Sequence, residues 1–135
     1  MREHMTDTGR QIDQIRNSMG DDLLILGHHY QRSSVVNHAD ETGDSLELAK
    51  RGAARKDAER IVFCGVHFMA ESADILAGDD QTVFMPNTTA GCPMANMADA
   101  EEMENAIKVL SSHSDDWLPV VYVNSTAAIK ALCGR

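Results

Sequence analysis

The chain has few basic residues, few cysteines and no long apolar run. Its 135 residues include 12 lysines and arginines against 21 aspartates and glutamates, a formal net charge of −9 with neutral histidines. That sign argues against nucleic acid or an anionic membrane as a partner, because both attract basic surfaces. No apolar run approaches the roughly 20 residues of a membrane helix, and the polar start MREHMTDTGR is not a signal peptide. The expected location is therefore the cytoplasm.

The cysteines, Cys64, Cys92 and Cys133, are widely spaced, and none belongs to a C-x-x-C pair. Neither a self-contained zinc site nor a disulfide framework is therefore indicated. Any cysteine with a special role must have partners that are distant in sequence or lie outside the chain.

Four short apolar runs indicate buried strands. The runs LLIL (23–26), IVFC (61–64), TVFM (82–85) and VVYV (120–123) are continuous rather than alternating, as is typical of parallel strands. Segments with helical spacing lie between them. The alternation predicts an α/β fold, a three-layer αβα domain whose short parallel sheet contains the first three runs.

Helix starts and ends are marked by capping residues. Asp44 and Asp99 are each followed three residues later by a glutamate, the pattern of a capping box. The last helix, in STAAIKALCG, is predicted to be capped by Ser125 and to end at Gly134. The chain stops soon after this helix with no closing element, which leads us to expect a fragment.

Each apolar run is followed directly by a polar or glycine-bearing turn. The turns are GHHYQ, GVHFMAE, PNTTAGCP and NSTA, in chain order. Ligands of parallel α/β sheets bind outside the carboxyl ends of the strands. We therefore expect the four turns to meet at one edge of the domain and form a site there.

The first and last of these turns, with one helix start, hold residues suited to binding. His28 and Tyr30 lie two positions apart, so in an extended turn they face the same side and could orient a carboxylate or move a proton. Ser45 begins a helix, where carboxylate or phosphate groups bind, although capping alone uses the same residue types. Tyr122 and Asn124 supply directional hydrogen bonds, and a structural edge is an equally good interpretation.

Cys92 differs from the other two cysteines because it lies between Gly91 and Pro93. A loop of this kind offers backbone N–H groups and little apolar cover, which favours metal ligation or nucleophilic chemistry. Cys64 ends an apolar run and is predicted to be a core residue. Cys133 lies near a helix end and could be packed or exposed.

His67 and Glu71 are spaced four apart, on one face of a helix. This spacing could serve a metal, but a single pair is more often a surface contact, and we interpret it so.

Together the motifs resemble the amino-terminal part of the quinolinate synthase family. The similar segments are GHHYQ, ADETGDSLELA, IVFCGVHFMAESADIL, AGCPMANM and PVVYVNSTAAIKA, and the resemblance runs from about Leu23 to the last residue. It implies a transferase of NAD biosynthesis that makes quinolinate from iminoaspartate and dihydroxyacetone phosphate. An L-aspartate-oxidising enzyme is the implied source of the iminoaspartate. The family fold implies three similar α/β domains around a central site.

The resemblance also implies a 4Fe-4S cluster held by three cysteines, one from each domain, with an open iron site that acts as a Lewis acid on the substrate. By position, Cys92 matches the first cluster ligand, and the other two ligands are absent from this chain. Tyr30 matches the tyrosine implicated in catalysis. The residues that match substrate-binding positions of the family are His28, Ser45, Tyr122 and Asn124.

The resemblance implies a division of the chain into two parts. Residues 1–100 match the first domain, and residues 101–135 match a linker helix with the first strand and helix of an incomplete second domain. The chain departs from the family at Asn87 and Asn96, where Asp is common, and at Pro93, where Ser is common. The isolated fragment is expected to be inactive.

Two interpretations from other classes remain open at this stage. One is a non-catalytic module that binds a small dicarboxylate or phosphate. The other is an enzyme that uses Cys92 as a nucleophile with His28. Binding of an iron–sulfur cluster would distinguish a synthase from both.

Overall fold

The computed structural model describes residues 7–134, which form helices on both sides of a small sheet. In chain order the elements are α1 (Asp7–Met19), a 3₁₀ turn (Gly20–Asp22), β1 (Leu23–His28), α2 (Ser33–Val36), β2 (Glu41–Gly43), α3 (Ser45–Ala54), β3 (Arg60–Cys64), α4 (His67–Leu76), β4 (Thr82–Phe84), α5 (Ala100–Ser111) and α6 (Ala127–Cys133). Within this part of the chain, no helix is long and apolar enough to cross a membrane.

The sheet has four strands in the order β2-β1-β3-β4, and every pairing is parallel. The predicted α/β class and parallel sheet are therefore confirmed. The first three apolar runs form β1, β3 and β4 as expected. The expectation that all of them are buried is wrong for β4, an edge strand whose Phe84 is 48% exposed. Strand β2 was not predicted, because its three residues, Glu-Thr-Gly, carry no apolar pattern. It forms beside β1, where the Asp40 side chain also accepts a hydrogen bond from the Ile25 N–H at 2.8 Å.

Each face of the sheet is covered by its own pair of helices. On one face, the fully buried Leu24, Leu26, Ile61 and Phe63 pack in a single core cluster with residues of α3 and α4. On the other face, residues of α1 and α2 form an apolar groove with Ile25 and the remaining outward residues of β1 and β3. This arrangement gives the three layers that the alternation of strands and helices predicts.

The fourth apolar run, 120–123, stands apart from the sheet as expected, but it is not a strand. Val120 is 87% exposed and Tyr122 is 65% exposed, so the run lies on the surface. A strand needs a neighbour to satisfy its backbone groups, and within the described residues none pairs with this run. The proposed division of the chain near residue 100 stays a prediction.

The predicted caps of α3 and α5 are confirmed. The Asp44 carboxylate accepts from the Glu47 N–H at 3.2 Å, and Asp99 accepts from the N–H groups of two residues in the first turn of α5. The predicted cap of α6 is wrong by one position. Thr126, not Ser125, accepts from the Ile129 N–H, and Ser125 is instead buried.

Candidate functional site

A cleft of about 530 Å³ lies at the carboxyl ends of β1 and β3. Turns that follow these strands, the start of α3, the loop between β4 and α5 and the segment before α6 all contribute to its walls. All six residues predicted for the site line this cleft: His28, Tyr30, Ser45, Cys92, Tyr122 and Asn124. The structure therefore places them together, while their individual roles stay predictions.

The end of β1 places three rings in contact at the cleft. His28 is the last residue of the strand and is buried, with 8% of its surface exposed. Its ring stacks on that of His29 with centroids 4.5 Å apart, and it meets the Tyr30 ring edge-on at 4.8 Å. Tyr30 itself is 84% exposed. A buried imidazole thus lies next to a phenol that solvent or a ligand can reach.

His29 connects this group of rings to the start of α3. Its backbone N–H donates to the Gly43 carbonyl at 3.2 Å, and its Nδ1 lies 2.8 Å from the same oxygen. Gly43 ends β2, so the two contacts bring Asp44 and Ser45 beside His28. The sequence indicated His29 only as part of a double-histidine turn. Its anchoring role depends on β2, which the sequence did not reveal.

Burial lowers the pKa of His28, and the neighbouring His29 lowers it further, while the Asp44 carboxylate opposes the shift. A buried imidazolium loses hydration that the neutral ring does not need. At neutral pH His28 is therefore a neutral donor and acceptor of hydrogen bonds. In that form it can bind a carboxyl oxygen of a ligand or accept a proton.

We expect this shift to make stability depend on pH in one direction. The pKa of His28 is lower in the folded state than in the unfolded state, so the unfolded chain binds more protons between the two values. The contribution of His28 to stability is thus full above its ordinary pKa of about 6.5 and is lost as the pH falls toward the folded value. Urea unfolding between about pH 7.5 and pH 5, a range set around the ordinary histidine pKa, should show this loss.

The control for this experiment is His28→Gln, which keeps a polar side chain but does not titrate. It should remove the part of the pH dependence that His28 contributes. An NMR titration of the His28 ring in the native protein measures its pKa directly. A value at or above the ordinary one would contradict the assignment of a desolvated, neutral His28.

The loop that carries Cys92 is held by its own hydrogen bonds. The Asn87 side-chain oxygen accepts from both the N–H and the hydroxyl of Thr89, at 3.0 and 2.8 Å. The Ala90 carbonyl accepts from the His67 N–H at 2.8 Å, which joins the loop to the start of α4. The aspartate that the resemblance implies at position 87 would offer the same acceptor oxygen, so the turn can form with either residue.

Cys92 is half-buried, lines the cleft and packs against the core cluster. Its carbonyl accepts from the Asn96 N–H at 3.0 Å, a backbone contact that an aspartate at position 96 would also make. Pro93 is in the same loop and is exposed.

The other two cysteines lie away from this cleft. Cys64 ends β3 and lines the apolar groove on the opposite face of the sheet, where burial raises the pKa of its thiol. It is half-buried, so the prediction of a core residue holds in part. Cys133 lies in α6 and is also half-buried. Among residues 7–134, no three histidine, cysteine or acidic side chains form a group that could hold a metal.

Glu71, paired with His67 in the sequence, makes two contacts. Its Oε1 lies 3.5 Å from His67 Nε2, the contact that the four-residue spacing indicates. Its Oε2 accepts from the Ala127 N–H at 3.0 Å. The second contact joins residues 56 positions apart, so no local pattern in the sequence could have indicated it.

A parallel α/β domain with a cleft at the carboxyl ends of its strands has the geometry of the class of proteins that bind small ligands at this edge. Comparison with known proteins then gives the family. The family model described as quinolinate synthetase A protein (NadA) matches residues 10–135. The chain therefore belongs to the quinolinate synthase family.

Similar curated proteins carry the same name. The chain is 55% identical over 130 residues to the quinolinate synthases of Bacillus cereus strains B4264 and G9842, and 53% identical to that of Bacillus thuringiensis strain Al Hakam. In each case the match covers 96% of this chain and 35% of the relative. The chain thus spans about a third of the length of these relatives.

Proposed function

We propose that this chain contributes part of the active site of a quinolinate synthase, which condenses iminoaspartate with dihydroxyacetone phosphate to quinolinate. This reaction belongs to NAD biosynthesis and classes the whole enzyme as a transferase. The observation that carries the proposal is the convergence of all six predicted residues on one cleft. Family membership supports an active site as the role of this cleft, because by resemblance the same positions match the active-site motifs of the family.

Within the cleft, the binding of substrate is assigned to four polar side chains. His28, as a neutral imidazole, and Ser45, at the start of α3, offer hydrogen bonds to acidic groups of the substrates. Tyr122 and Asn124 offer uncharged, directional hydrogen bonds from the segment before α6. Together they orient the two substrates for the condensation.

Tyr30 is assigned the catalytic role. Its phenolic oxygen can hold or transfer a proton, and its exposure lets it reach a ligand in the cleft. The rings of His28 and His29 contact the phenol ring edge-on and leave most of it exposed.

The cofactor of the proposed reaction is a 4Fe-4S cluster, and the described residues fit one part of its socket. Cys92 would supply a thiolate, the usual ligand of such clusters, from the lining of the cleft. When bound, the cluster would supply a Lewis-acid iron. Among the described residues Cys92 is the cysteine that lines the cleft, and the resemblance implies that the other two ligands are absent from this chain. The chain alone is therefore expected to be colourless and inactive.

The proposal also names the setting of the enzyme. An L-aspartate-oxidising enzyme would supply the unstable iminoaspartate, and the reaction would take place in the cytoplasm. Nucleic acid and membranes are not expected partners of a chain with a net charge of −9.

A second candidate function is a cysteine-nucleophile enzyme, because Cys92 and the neutral His28 line the same cleft. This candidate requires activity without iron that is lost when Cys92 is alkylated. A module that only binds a small dicarboxylate or phosphate would show neither iron nor turnover.

The test uses a chimera in which this chain replaces the 35% of a Bacillus cereus relative that it matches. After anaerobic reconstitution with iron and sulfide, the chimera should be brown and form quinolinate from dihydroxyacetone phosphate and enzymatically generated iminoaspartate. The unmodified relative is the positive control, and the 135-residue chain is the negative control. A folded chimera that holds its cluster but forms no quinolinate would reject the proposal.

A further inference from the structure

The wall of the cleft formed by residues 122–124 has no secondary structure of its own. These residues belong to no helix or strand, and Tyr122 is 65% exposed. A surface segment without the backbone hydrogen bonds of a helix or sheet is expected to be mobile. Tyr122 and Asn124 nevertheless line the same cleft as His28. Contacts with another element must therefore fix its position.

One such contact comes from Glu71 on α4. Its Oε2 accepts from the backbone N–H of Ala127, the first residue of α6, at 3.0 Å. The cap of α6, Thr126, accepts from Ile129 instead, so Glu71 satisfies a second donor of the same helix start. Helix α6 begins directly after the wall, and this bond thus fixes the end of the wall against α4.

A second contact comes from the other direction, through Lys130 of α6. Its Nζ donates to the Ser125 carbonyl at 2.8 Å and to the Ser72 hydroxyl at 3.1 Å. The ammonium also lies 5.6 Å from the centre of the Phe68 ring, which itself lines the cleft. Ser72 in turn donates to the Phe68 carbonyl at 2.8 Å. One cation therefore bonds the residue after the wall and α4 at the same time.

The environment of Lys130 agrees with a fixed position. Burial lowers the pKa of its ammonium, and the charge of Glu71 opposes that shift. A lysine that loses hydration is usually held by specific partners, and here two acceptor oxygens lie within 3.1 Å of the ammonium. A lysine that served only as a solubilising charge would extend into water.

We propose that Glu71 and Lys130 are positioning residues that hold the Tyr122–Asn124 wall of the cleft against α4. They act through the backbone of residues 125–127. The identity of the ligand that the wall would contact rests on the proposed function. The hydrogen bonds of Glu71 and Lys130 that join α4 to α6, called the tether, do not depend on that function.

Amide hydrogen exchange of the 135-residue chain tests the tether. In Lys130→Met, the amides of Ser125 and Ala127 should exchange about tenfold faster or more, while those of the buried Leu48 and Ala49 stay unchanged. Lys130→Arg keeps a cationic donor and should restore most of the protection. The matched control is Lys50→Met, an exposed lysine on α3 that should have no effect on the wall. Unchanged exchange at Ser125 and Ala127, or equal acceleration everywhere, would overturn the proposal.

Glu71→Ala keeps the proposal testable if Lys130→Met does not fold. In that variant the Ala127 amide loses its acceptor and should exchange about tenfold faster or more. An unchanged exchange rate would refute the proposal.

A titration with succinate, a simple dicarboxylate, distinguishes failure of this inference from failure of the proposed function. If succinate does not shift the NMR signal of the Asn124 side-chain amide in the wild-type chain, the ligand assignment fails. The exchange results still show whether α4 and α6 are held together as proposed. If succinate binds, Lys130→Met should weaken its binding and Lys130→Arg should restore it.

Discussion

Cys92→Ser is expected to abolish the iron–sulfur cluster in the chimera and to reduce quinolinate formation to background. The cluster requires soft thiolate ligands, and a serine hydroxyl is a poor substitute. Among the described residues, Cys92 is the one cysteine that lines the cleft. No other thiol of these residues is placed to replace it as a ligand. Iron and sulfide content and the visible absorption of the reconstituted protein measure the loss directly.

The matched controls are Cys64→Ser and Cys133→Ser. Both residues lie outside the cleft, and both variants should keep the cluster and the activity. Thermal unfolding checks that Cys92→Ser still folds, which its small change in volume favours. A Cys92→Ser chimera with a full, active cluster would show that Cys92 is only a packing residue under its turn.

Tyr30→Phe is expected to lower kcat by a factor of about 10² to 10⁴, the usual contribution of a positioned proton donor or acceptor. Only the phenolic oxygen is removed, and the ring keeps its contacts with His28 and His29. Because Tyr30 is 84% exposed, the free energy of unfolding should change by no more than about 0.5 kcal/mol. Steady-state kinetics of chimeras with equal iron content measure the effect.

Tyr122→Phe provides the comparison for this prediction. Tyr122 is assigned to binding, so its loss should raise KM more than it lowers kcat. If Tyr30→Phe instead changes only KM, the phenol binds substrate and the catalytic role must belong to another residue. If it changes neither, Tyr30 has no part in the reaction.

The sequence predicted the elements whose signals are local. Continuous apolar runs identified β1, β3 and β4. Burial on both faces explains the run in β1, whereas β4 is an edge strand that is mostly exposed. Asp44 and Asp99 identified two helix starts, because a cap and the N–H group that it accepts from are a few residues apart. The turns that follow the strands located the cleft, because parallel strands all end at the same edge.

Tertiary structure decided the features that depend on distant partners. Strand β2 has no apolar pattern and forms only beside β1, whereas the apolar run 120–123 has no neighbour among the described residues and stays irregular. The bond between Glu71 and Ala127 spans 56 positions, and that between Lys130 and Ser72 spans 58. The sequence thus determined which residues line the cleft. How one of its walls is held was determined by packing, because backbone and charged groups take whichever partners the fold brings within hydrogen-bond distance.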